Sequence, residues 1–434
     1  MILATLFTAT NNLFGQIPVI ETPKPASFTI ITPGFNNPNP QIRQVNPHTT
    51  VPNQPNPVDM YERSRKEIQQ RNAEILKMLR EYSVSNQPIQ YELPSWLGTY
   101  GTEYYQKAFE KLCSMLDGET PLSLKDAVFI VENAYFENQL DYSDYNRAIK
   151  ELAQLTEWKT IQDGYDWKNP VTKNIMLFRK MVDTLYIKVP KREITVASYP
   201  MKYDYNDPWG KDDWVNRFII KLMATKKGQC YSLPMLYLIL CEAIGAEAHL
   251  AYSPSHSYIK FKDNSGNWYN LELTNGRIVT DAYMVGSGFI TAEAIKNRTY
   301  MEPQTKHQVI AQCIVDLAGG YIYKYGYDRF VKQCADAVLK YDKNSLSGLM
   351  LKANYEGQRL EYIANQIDVA PRDTIKAHAP RAYKLLEERN KLYDKIDATG
   401  YREMPKEAYE DWLRFMNEAK ELQENSNSVL QLIR

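Results

Sequence analysis

Residues Lys226 to Gly276 read KKGQCYSLPMLYLILCEAIGAEAHLAYSPSHSYIKFKDNSGNWYNLELTNG, and their punctuation is turn, helix, turn, strand, turn, strand. Gly228 ends the preceding segment. Pro234 falls in the first turn of the next helix, where a missing amide costs least. Leu233, Leu236, Tyr237, Leu240 and Ile244 recur at helical spacing, and Gly245 closes the helix. Ala248 to Tyr252 is a short strand, Ser253-Pro254-Ser255 turns the chain, and His256 to Phe261 alternates as a second strand. Asp263-Asn264-Ser265-Gly266 makes a hairpin turn, from which Trp268 to Leu273 returns as the partner.

This order brings three chemically useful groups within range of one another. Cys230 stands at a helix start, where unpaired amides and the helix dipole favour a thiolate, and Lys226 and Lys227 add positive charge upstream. A turn centred near Asn264-Ser265 predicts His256 roughly opposite Glu272, both on one sheet face. A helix packed on that face with its N-terminus at the strand end would set Cys230 beside His256. Nucleophilic thiol, imidazole base and an orienting carboxylate then form a catalytic arrangement. His249 is the competing base, expected on the opposite side of its strand. Cys241, Cys313 and Cys334 sit in apolar helical patterns and read as core.

The order Gly228-Gln229-Cys230 at a helix start, His256 opening a strand and Glu272 on the next resembles the transglutaminase-like superfamily, which has a papain-like fold. The short Cys-to-His interval and the string Asn270 to Gly276 look more like its bacterial branch than the animal crosslinking enzymes. The resemblance covers roughly residues 205–284. It implies Cys230 as nucleophile, His256 as base and Glu272 as third member. Glu272 stands where many relatives have Asp. Ala224 stands six residues before Cys230, where papain-type proteases place a glutamine oxyanion donor, so an oxyanion hole would lean on the Cys230 amide and a second donor. Trp209 reads as a packing residue that could also line the site.

With 434 residues the chain has room for several domains, and 44% apolar with 24% charged residues is ordinary for a soluble protein. Formal net charge is zero, which gives no electrostatic footprint for nucleic acid or an anionic membrane. Five widely spaced cysteines and five histidines supply neither a disulfide framework nor a zinc site, and no cofactor is expected.

Residues 1–16 resemble the end of a secretory signal, without the basic segment. Export to a periplasmic, cell-surface or secreted location is therefore expected, with a cytoplasmic protein as the alternative. Residues 17–57 hold ten of the 23 prolines and read as a disordered tether. No stretch is long and apolar enough to span a bilayer.

A helical domain is expected over 58–190, with helices at 60–82, 103–116, 123–137, 144–157 and 171–187. The catalytic core comes next over 191–300, entered by a helix over 212–225. A C-terminal helical domain occupies 301–434, with further helices at 381–396 and 405–424. Its 34-residue repeat, Leu317 and Tyr321 recurring as Leu351 and Tyr355, resembles tetratricopeptide helix pairs, although Phe330 and Asp342 depart from that pattern.

The expectation is thus an α+β protein: a papain-like transglutaminase core, helix on antiparallel sheet, flanked by N- and C-terminal helical domains. Its expected function is cysteine-dependent acyl transfer or hydrolysis on a peptide or protein amide. The alternative is an inactive relative whose C-terminal helices dock a protein partner.

Overall fold

The structure is a computed structural model that describes residues 88–192, 194–207, 213–287, 290–366 and 379–402, with a few isolated positions besides. The expected signal remnant, the tether, the helices over 60–82 and 405–424, and Trp209 lie outside the described residues. The described chain is mostly helical α+β with small antiparallel sheets.

Four helices lead: α1 (Thr102–Leu116), α2 (Leu124–Tyr135), α3 (Tyr142–Gln162) and α4 (Pro170–Val182). Ser123, Asp141 and Asn169 each cap the following helix by accepting backbone N–H groups, the polar starts that the sequence displays. The helix expected over 171–187 stops at Val182, and its last residues become a strand. β1 (Leu185–Lys188) pairs antiparallel with β2 (Thr195–Ser198), because Leu185 and Ile187 are buried in alternation while Tyr186 and Lys188 face out.

β3 (Lys202–Tyr203) pairs parallel with β4 (Lys227–Gly228). Between them, the helix expected over 212–225 is broken into a 3-10 turn (Trp214–Arg217) and α5 (Ile219–Thr225). The cause is distant in sequence. The carboxylate of Glu132, on α2, accepts from Ile219 N at 2.7 Å and Ile220 N at 3.1 Å, so a new helix starts there with extended backbone at Phe218.

The central helix α6 (Ser232–Ile244) ends at Gly245, whose φ of 63° is the left-handed cap that glycine makes without strain. The four-stranded sheet comes next in the order β5 (His249–Ser253), β6 (His256–Lys262), β7 (Trp268–Glu272) and β8 (Arg277–Val279), antiparallel throughout.

Short helices α7 (Asp281–Ser287) and α8 (Ala292–Lys296) lead to a segment fastened along the β5 edge, where Met301 N and Gln304 N each donate at 2.8 Å to the Tyr252 and Leu250 carbonyls. Then come α9 (Lys306–Tyr325), α10 (Arg329–Tyr341), α11 (Leu346–Ala364) and α12 (Pro380–Ala398). Phe330 is fully buried, its ring 4.7 Å from that of Tyr321, which accounts for a large residue at that position.

One hydrophobic core runs without interruption from Tyr105 on α1, through α6 and the sheet, to Tyr355 on α11. Among the described residues no helix is long and apolar enough to cross a membrane.

Candidate functional site

Cys230 lies just ahead of α6, and the first helical-type bond, Leu233 N to the Gln229 carbonyl at 3.0 Å, already encloses it. The turn is tight. A Cβ on Gly228 would stand 2.7 Å from Ser232 Oγ and 3.0 Å from Leu222 Cδ1, so glycine is required for packing. Gln229 N donates to Ser232 Oγ at 2.8 Å, and the Gln229 side-chain amide donates to the Asp207 carbonyl. Asp207 in turn accepts from Asn216 Nδ2 at 2.9 Å. The loop before α5 is thereby tied to the residue preceding the thiol. The Cys230 carbonyl accepts from Ser257 Oγ at 2.7 Å, which anchors this turn to β6 at the residue after His256.

His256 and Glu272 are both 0% exposed, and the Glu272 carboxylate accepts from His256 Nε2. That bond commits Nε2 to the acid, so Nδ1 is the ring nitrogen directed elsewhere. The second carboxylate oxygen accepts from Thr274 N at 2.9 Å, which fixes the Glu272 rotamer within its own turn. His256 stacks on Tyr258 two residues along, ring centroids 6.3 Å apart and planes 19° apart.

The register differs from the sequence expectation. The ladder Ile259↔Leu271, Phe261↔Tyr269 and Lys262↔Trp268 sets Glu272 level with Tyr258, and His256 reaches it diagonally. The turn spans Asp263 to Asn267, where Asp263 Oδ1 accepts from both Ser265 N and Asn267 N at 2.8 Å. A slip of two positions preserves the face. The expected packing also changes. α6 covers the face carrying Ile259, Phe261 and Leu271, while His256, Tyr258 and Glu272 point to the other. The Cys230 turn is tied to His256's strand through Ser257, which by alternation lies on the α6 side.

The His–Glu face has its own cover. Met284 of α7 packs on Ala251, Tyr258 and Val279. Asp281, at the start of α7, accepts from Lys260 Nζ at 3.2 Å and Asn270 Nδ2 at 2.8 Å. Burial and the nearby Glu272 carboxylate push the Tyr283 phenol up, opposed by Asn275. Sequence reasoning does not single out Ser257, Thr274, Asn275 or Tyr283; the Leu273-Thr274-Asn275-Gly276 turn is the one local signal for two of them.

His249 pairs with Lys260 and so shares the face of His256, contrary to expectation. It sits four residues farther along β5, about 13 Å at the strand rise. Its Nδ1 meets the Gln304 carbonyl at 3.2 Å, and its ring lies edge-on to Trp268. Cys241 is buried in α6, and burial pushes its thiol far up.

No family model matches the chain, and no curated protein matches it. Among solved structures it is similar to a crystal structure of menin described as revealing the binding site for Mixed Lineage Leukemia (MLL) protein. That similarity has 11% identity over 71% of this chain and 76% of the other, with a TM-score of 0.28. At that score the likeness carries no argument about fold or function.

Proposed function

We propose that this chain is a cysteine-dependent acyltransferase or hydrolase on peptide or protein amides, built on a transglutaminase-like, papain-like core. The observation that carries the reading is the buried Glu272 carboxylate on His256 Nε2, beside the strand position where Ser257 holds the Cys230 turn.

In that chemistry the Cys230 sulfur attacks the amide carbonyl carbon and the carbon–nitrogen bond breaks. The proton taken up by His256 passes to the leaving amine nitrogen, and a thioester remains. Water or a second amine then attacks the thioester, giving its proton to His256, and the thiolate leaves. Glu272 holds the imidazole in one tautomer and offsets its charge while it is protonated. The acceptor is decided by which nucleophile reaches the thioester, so hydrolysis and transamidation share every step up to that point.

A second reading has an observation behind it. Cys230 is only 3% exposed, as befits a relative that keeps the fold and binds a protein partner without chemistry. Iodoacetamide separates the two. The enzyme reading expects Cys230 to be alkylated far faster than Cys241 of the same helix region, tracked by peptide mass spectrometry. Equal, slow labelling of both thiols would favour the binding reading.

A further inference from the structure

Tyr231, the residue after Cys230, sends its phenol to the first of the C-terminal helices. Its hydroxyl donates to Asp316 Oδ2 on α9. The other carboxylate oxygen accepts from Gln312 Nε2 at 3.4 Å, and Gln312 Oε1 accepts from Ser347 Oγ of α11 at 2.5 Å. A continuous relay thus runs from α11 through α9 to the turn that carries the thiol. Cys230 is then held on three sides: through Gln229 to the Asp207 carbonyl, through its own carbonyl to Ser257, and through Tyr231 to Asp316.

The first two holds fix backbone on the amide side and against the strand. Only the third reaches the C-terminal helices.

We propose that Asp316, acting through the Tyr231 phenol, is a positioning residue for Cys230, and that α9 and α11 are thereby part of the machinery of the thiol. This rests on the reading of Cys230 as the nucleophile. A phenol donating to an ionised carboxylate is a charge-assisted bond, stronger than a neutral one and directional. Reaction geometry at a nucleophile is sensitive to displacements of the order of 1 Å, which cost about a hundredfold.

Several groups face Asp316: Glu132 from α2, Arg217 from the 3-10 turn, Tyr231 from the head of α6, Tyr252 from β5, and Cys313 with Gln312 on α9 itself. Asp342 acts on Tyr252 from beyond. A cavity of about 30 Å³ lies among Glu132, Arg217, Tyr231, Cys313 and Asp316. Burial pushes Asp316 up to about 6, opposed by Tyr231, Gln312 and Arg217, and pushes Glu132 up to about 8. At neutral pH Asp316 is therefore the anion. The phenol–carboxylate bond is at full strength above about 6 and weakens as pH falls through that value.

The test uses the full chain and iodoacetamide labelling of Cys230 from pH 5 to 9, with thermal melts alongside. Wild type, Asp316→Asn, Tyr231→Phe and the double variant are compared. Each single variant is expected to slow labelling about tenfold or more at pH 7.5, and the double variant no further, because one bond is lost in all three. The wild-type profile should carry a step near pH 6 that Asp316→Asn lacks; a merely structural carboxylate would lower the melting temperature without moving that step.

Tyr231→Phe keeps the ring in place and decides the matter alone if Asp316→Asn does not fold. Fast wild-type labelling with unchanged rates and profiles in the variants overturns the proposal and leaves the nucleophile reading intact. Wild-type Cys230 labelling no faster than Cys241 overturns both.

Discussion

On the α6 side of the four-stranded sheet stand Leu250, Ile259, Phe261 and Leu271, all 0–1% exposed; on the other stand His256, Tyr258, Lys260, Asn270 and Glu272, all 0–4% exposed. The strands are the same and the burial is the same, yet these residues are hydrocarbon on one face and ionisable or polar on the other. Burial alone therefore does not separate core from candidate site. What separates them is the demand each face makes on its neighbours. The first needs only close packing from α6, whereas every polar group on the second must be matched by a partner or left at a cost. Lys260 and Asn270 meet that demand through Asp281, and His256 meets it through Glu272.

The sharpest way to break this comparison is to remove the thiol on which the proposed reaction depends. Cys230→Ala is expected to abolish acyl-enzyme formation with a near-native thermal melt, since a smaller side chain ahead of a helix disturbs little. Wild-type turnover on an amide substrate by that variant would end the proposed mechanism. Glu272→Gln comes next. It leaves thiol and imidazole in place but removes the charge that orients His256, and a loss of about 10²–10⁴ in turnover is expected, read by steady-state kinetics. An unchanged rate would make the His–Glu bond a structural one.

The helix side should answer to folding measurements instead. Phe261→Ala empties a site in contact with the main core and is expected to cost about 3–5 kcal/mol in urea unfolding. Tyr258→Phe, on the polar face, is expected to change stability by less than about 1 kcal/mol in the same titration, because the Tyr258 hydroxyl is buried with no hydrogen-bond partner among the described residues. A Tyr258→Phe loss as large as that of Phe261→Ala would show that the two faces are held by one kind of interaction after all.

Periodicity made much of this region legible in the sequence. Residues 256–261 and 268–273 alternate, so His256 and Glu272 share parity under any even register, and the slip of two positions observed here left them together. The helix over 232–244 and its stop at Gly245 arise from apolar spacing and one left-handed glycine. These are effects of neighbours a few residues apart, which is what a sequence displays.

Tertiary structure alone decided the rest. Glu132, 87 positions before Ile219, broke the helix expected over 212–225. The chain after Val182 exchanged helix for strand because β2 was there to pair with it. Which sheet face received α6, and that Asp316 would meet Tyr231 across 85 positions, depended on how distant elements divided the available burial and hydrogen bonds. A local pattern states which residues share a face; only the packed chain determines what that face is set against.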